Sequence, residues 1–138
     1  MEKHLFISCF IMFMLSISIL TIMFFKRLRD MRVGVTDPKY FKTYDLATTI
    51  PTRTAQTVRN YSNLFETPIL FYAIIALILA LDLQHLHLVY LAYAYAGSRV
   101  LHSIVHLTTN KLYPRMITFM SSVFILFLLW SRTLLLIG

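Results

Sequence analysis

Long apolar runs separated by short charged stretches set the plan of this chain. Leu5 to Phe25 is 21 residues without a charge, and at about 1.5 Å of rise per residue a helix over it crosses a hydrocarbon core of about 30 Å. A cleaved signal peptide is the competing reading. Its apolar core would be shorter and its basic cluster would come first, whereas Lys26, Arg27 and Arg29 follow this run. The segment is therefore expected to stay in the mature protein as a first span, over 5–25. Lys26 to Thr57 is polar, holds Gly34, Pro38 and Pro51, and carries the helix-start signals Thr36-Asp37-Pro38 and Thr49-Ile50-Pro51, which predicts an interfacial loop with short helical pieces. A second helix is expected to begin just after Pro51 and to span 56–81, with a kink at Pro68. Asp82 to His87 reads as a polar turn. A third span over 87–107 follows, interrupted by Arg99, His102 and His106, and after the connection Thr108 to Pro114 a fourth covers 116–137, broken only by Arg132. No internal repeat or low-complexity tract is present.

Composition agrees with that pattern. The 138 residues leave room for one domain, 1–138, and 58% of them are hydrophobic, more than the 45 to 50% or so usual in soluble domains. The prediction is an all-α integral membrane bundle of four helices. The formal net charge of +7 could suggest nucleic acid, but the basic residues border apolar runs and do not form a soluble basic face, so no nucleic-acid partner is expected. Cys9 is the only cysteine and lies inside the first run, which excludes an intramolecular disulfide and leaves a packing role.

Charge placement also predicts orientation. The first connection carries Lys26, Arg27, Arg29, Arg32, Lys39, Lys42 and Arg53, the second carries no Lys or Arg, and the third carries Lys111 and Arg115. The positive-inside rule then puts the first and third connections in the cytoplasm and both termini on the opposite side.

Candidate chemistry sits on two stripes. Gln56, Arg59, Asn63 and Glu66 recur at intervals of three, four and three, one face of a helix, and Tyr95, Arg99, His102 and His106 recur at four, three and four. Ionisable side chains at membrane depth face other helices or a wet cavity, so the stripes should meet on the cytoplasmic side and gather Arg115 with them. Two roles fit such a cluster: a binding site, or interhelical glue in which Arg59, Glu66 and Arg99 pair with one another. His102 and His106 at i, i+4 would suit a metal, yet only Glu66 could serve as a third ligand and arginines surround it, so no metal site is assigned. His85 and His87 are expected in the outer turn. The methionines and Tyr90, Tyr93 and Tyr95 are read as packing and depth markers.

The combination Arg59-x-x-x-Asn63-x-x-Glu66-x-Pro68, with Arg99-x-x-His102 followed by Asn110 to Arg115, resembles the membrane-associated proteins in eicosanoid and glutathione metabolism, in particular bacterial-type members. It covers the four-span layout and, in detail, Gln56 to Arg115. The resemblance implies a homotrimer with glutathione as cosubstrate in the cytoplasmic half, between neighbouring subunits. By the same resemblance, Arg59, Asn63, Glu66 and Arg99 hold the tripeptide, His102 and His106 orient it, and Arg115, the nearest match to an arginine at the start of the last helix, stabilises its thiolate. The pairing is chemically sound, since two carboxylates and one ammonium complement arginines and a glutamate. Where the eicosanoid-forming members carry a tyrosine one turn after the His102 position, this chain has His106, which offers a ring nitrogen in place of a phenol. The expected function is a membrane-bound glutathione transferase or peroxidase acting on a lipophilic electrophile, with membrane lipid as its surroundings. The alternatives are a small transporter coupled through Glu66 and a non-catalytic membrane scaffold of the same fold.

Overall fold

A computed structural model of the chain describes residues 1–40 and 50–137, and all regular structure among them is helical. Lys42 and Thr49, named above in the first connection, lie outside the described residues.

Helix α1 runs Glu2–Arg32. It continues beyond Phe25 through the basic segment expected as loop, because Lys26 to Arg32 is rich in good helix formers and Arg29 and Arg32 face the negative end of the helix dipole. Gly34 ends it at φ +70. The Val35 N–H reaches Asp30 O at 3.0 Å and the Gly34 N–H reaches Met31 O at 3.1 Å, the paired bonds of a Schellman cap that a left-handed glycine permits.

Helix α2, Thr52–Asn63, starts directly after Pro51, and α3 covers Thr67–Ala80 with Pro68 in its first turn. The kink expected at Pro68 is instead a full break over Leu64–Glu66, one turn earlier. Proline has no N–H to offer Leu64 O, and its ring crowds that carbonyl, so the strain falls on the preceding turn. Helix α4, Leu86–Leu107, follows a turn in which Asp82 takes φ +57. Asn110, at φ +48, turns the chain into α5, Leu112–Ile137, which starts ahead of the expected 116 because Pro114 fits the first turn, where an N–H has no intrahelical partner anyway.

Helix α4 is the hub, packing on α1, α2 and α5. Its buried seam, Leu88, Val89, Ala92, Tyr95, Ala96, Arg99, His102, Ser103 and His106, follows the three-and-four spacing of a single face. Small residues there let backbones approach, which matters where lipid supplies no hydrophobic drive between helices. Leu5 and Met12 of α1, Phe71, Ile74 and Ile78 of α3, and Leu126 and Leu129 of α5 complete the core. The opposite faces expose Phe6, Phe10, Phe13, Phe124, Phe127 and Leu134, a surface suited to lipid and costly in water.

Three helical stretches are long and apolar enough to cross a membrane: Glu2–Arg32, the broken Thr52–Ala80 pair, and Leu112–Ile137. At 22 residues α4 is also long enough, but its arginine, serines and histidines lower its hydropathy. It carries those groups on the face that the other helices cover. The fold is thus an all-helical membrane bundle whose central helix, α4, buries an arginine and two histidines.

Candidate functional site

The break after α2 and the α4–α5 turn lie beside one another and frame an open cavity of about 460 Å³, within the range of about 300 to 1,000 Å³ usual for small-molecule sites. Arg59, Ser62, Asn63 and Glu66 of the α2 side, His102 and His106 of α4, and Arg115, Met116, Phe119 and Met120 of α5 line it. Six of the seven residues expected to bind or activate glutathione therefore share one cavity.

Arg99 does not line it. This side chain is completely buried, at 0% exposure. Its Nη2 donates to the Asn63 carbonyl at 2.7 Å, its guanidinium carbon lies 5.4 Å from the centre of the Phe119 ring, and Nε and Nη1 have no hydrogen-bond partner. Among the described residues Arg99 makes no ion pair with Glu66, whose side chain is exposed at the cavity edge. The glue reading, three charged residues pairing across helices, is not the arrangement adopted.

Each histidine keeps one buried ring nitrogen without a hydrogen-bond partner. His102 places Nδ1 3.2 Å from both Arg115 O and Thr118 Oγ1, while Nε2 is without a partner. The His106 carbonyl, near the end of α4, accepts a hydrogen bond from Gln56 Nε2, and its ring Nδ1 is unpaired. The two rings meet edge-on with centroids 5.7 Å apart. Among the described residues no group of three His, Cys, Asp or Glu side chains gathers there. At the start of α4, and not both in the preceding turn as expected, exposed His85 and His87 stack on one another.

Arg115 is aimed by the connection before it. Its Nη1 donates to Asn110 Oδ1 at 3.0 Å, an anchor that exists because Asn110 adopts the left-handed conformation asparagine tolerates. Two arginines and one glutamate thus surround a space bounded on its α5 side by Met116, Phe119 and Met120. Such a space can take an anionic, zwitterionic molecule beside an apolar one.

Several contributors were not singled out in the sequence. Asn60 is fully buried and accepts from Ser103 Oγ at 3.2 Å; its position one residue beyond Arg59 hid it on the neighbouring face of the same stripe. Met116, Phe119 and Met120 stand at helical spacing on α5, but inside an apolar run nothing local distinguishes a cavity wall from a lipid-facing surface. The signal for Asn110 was there, since asparagine in a short connection is a common left-handed residue.

No curated protein and no solved structure matches this chain. The model of the MAPEG family matches residues 5–135 of its 138, taking in all the cavity residues and every helix described above but for the outermost ends of α1 and α5. With a match over nearly the whole length and a helical membrane fold to go with it, the chain belongs to the MAPEG family.

Proposed function

We propose that this protein is a membrane-bound glutathione-dependent transferase or peroxidase acting on lipophilic electrophiles, with glutathione seated in the cavity between the α2–α3 break and the α4–α5 turn. The observation that carries the reading is the convergence of Arg59, Asn63, Glu66, His102, His106 and Arg115 on that one space. Family membership supports it, since glutathione chemistry in membranes is what such proteins are associated with. In this reading Arg59 takes a carboxylate of the tripeptide, Glu66 takes the ammonium of its γ-glutamyl group, and Asn63 hydrogen-bonds the backbone between them. His102 and His106 orient the peptide, and Arg99 braces the site from behind. Arg115 lies where a guanidinium would favour the thiolate over the thiol. The thiolate then attacks the electrophilic carbon of a second substrate held by Met116, Phe119 and Met120, forming a thioether as the leaving group departs, or attacks a peroxide oxygen, forming a sulfenic acid as the O–O bond breaks and the alcohol leaves, a second glutathione then giving the disulfide and water.

The proposal includes a homotrimer in which a neighbouring subunit closes the open side of the cavity, four membrane passes, cytoplasmic first and third connections, and termini on the other side of the membrane. The test is calorimetric titration of glutathione into the detergent-solubilised protein, followed by thiolate absorbance against pH for wild type and Arg115→Ala. Saturable binding with a bound thiol more acidic than free glutathione, an effect lost in Arg115→Ala, is the expected result. Absence of binding at millimolar glutathione overturns the assignment, and binding without any thiolate shift points to a scaffold that holds the peptide without activating it.

A further inference from the structure

A buried arginine with no carboxylate in ion-pair contact needs a further reason to be charged. Arg99 has its reason in the break between α2 and α3. In an unbroken helix the Asn63 carbonyl would accept from the Thr67 N–H, but the chain leaves the helix over Leu64–Glu66. The Leu64 N–H bonds back to Tyr61 O at 3.0 Å and the Phe65 N–H to Ser62 O at 2.9 Å, tightening the last turn of α2. Asn63 O is left over, and Arg99 Nη2 takes it at 2.7 Å. The negative end of the α2 dipole and the face of Phe119 add to the more distant Glu66 carboxylate in offsetting that charge.

One helical turn earlier on α4, the Tyr95 hydroxyl donates to Thr67 Oγ1 at 3.2 Å, and the Tyr95 ring is held by stacking on Phe71 with centroids 4.4 Å apart. Tyr95 and Arg99, four residues apart on a single buried face, therefore grip the chain on both sides of the break. Arg99 holds Asn63 before it and Tyr95 holds Thr67 after it. Glu66 stands between the two grips in a non-helical conformation, φ −93 and ψ −95, with its side chain at the cavity.

We propose that Tyr95 and Arg99 form a clamp that fixes the α2–α3 break and thereby aims Glu66 into the cavity, which makes Tyr95 and Arg99 positioning residues for recognition of a ligand ammonium group. The consequence for ligand choice rests on the glutathione reading above; the clamp itself does not. Released on either side, Leu64–Glu66 would sample other conformations, and the carboxylate would spend part of its time away from the site. A ligand lacking the ammonium would not register the difference.

Two measurements on the full-length protein in detergent test this. Backbone hydrogen exchange at Phe65, Glu66 and Thr67 without ligand reports the clamp directly. Affinities for glutathione and for its deamino analogue, in which hydrogen replaces the γ-glutamyl ammonium, report its effect on recognition. Tyr95→Phe keeps the ring stack and removes only the hydroxyl. It should speed exchange at these amides about tenfold and weaken glutathione several-fold while leaving the analogue within about twofold. Thr67→Ser, which keeps the acceptor, should behave as wild type. Arg99→Gln should resemble Tyr95→Phe with a larger effect, and if it does not fold, Tyr95→Phe decides alone. Unchanged exchange in Tyr95→Phe, or equal weakening of both ligands, overturns the proposal. If the wild type binds neither ligand, the glutathione reading falls and exchange alone judges the clamp.

Discussion

Asn110 offers a way to separate backbone geometry from side-chain chemistry at the α4–α5 turn. The residue sits at φ +48, its N–H reaches Val105 O at 2.9 Å, and its Oδ1 accepts from Arg115 Nη1 at 3.0 Å. Asn110→Gly keeps the backbone conformation at no steric cost and deletes the side-chain bond. Asn110→Ala deletes the same bond and keeps a Cβ in left-handed space without the local polar contacts that let asparagine tolerate it, at about 1 to 2 kcal/mol. A hydrogen bond from a charged group contributes about 1.5 to 3 kcal/mol when sheltered. Arg115 is only half-buried, so solvent screening brings this to about 1 kcal/mol. Glycine adds up to about 1 kcal/mol of unfolded-state entropy and relieves part of the strain asparagine carries, two small effects of opposite sign. Asn110→Gly should therefore lose about 1 kcal/mol and Asn110→Ala about 2 to 3 kcal/mol. Denaturant unfolding in mixed micelles, monitored by helical circular dichroism, measures the difference. Both variants should shift the acidity of bound glutathione equally, because both release Arg115. Equal stability of the two variants would refute the left-handed turn as the source of the cost. An unchanged thiolate titration in both would show that Asn110 does not steer Arg115.

Three further outcomes follow from packing and charge. Ala92 is fully buried in the α4 seam, so Ala92→Leu should cost about 1 to 3 kcal/mol by overpacking, read as a lower unfolding midpoint. Gln56→Ala removes the donor to the His106 carbonyl and should lower stability by about 1 kcal/mol, with faster exchange confined to the end of α4. Glu66→Gln should weaken glutathione about tenfold or more, as expected for losing a charge-assisted contact, and leave the deamino analogue unaffected; equal losses would place Glu66 away from the ammonium.

Much of this molecule is legible in its sequence, and the reason lies in the lipid. Uncharged runs longer than a bilayer core admit few structures besides helices, so α1 and α5 follow from length and composition. The stripes Arg59, Asn63, Glu66 and Arg99, His102, His106 were visible because polar groups at helical spacing stand out inside apolar segments. What hydropathy could not reveal is which apolar face is the core. Lipid and protein interior are equally apolar, so Leu5 inside and Phe6 outside look alike in the chain, and the same ambiguity concealed Met116, Phe119 and Met120 as a cavity wall.

The remaining features came from contacts distant in sequence. That Pro68 breaks the chain at Leu64–Glu66 and does not merely bend it depends on side chains from α4 being there to donate, Arg99 to the freed Asn63 carbonyl and Tyr95 to the Thr67 hydroxyl. Arg99 reads as a site residue by spacing, yet it turns inward to a carbonyl that exists as an acceptor only because another helix is broken. Helical period assigns a side chain to a face; what that face meets is settled by how the helices pack.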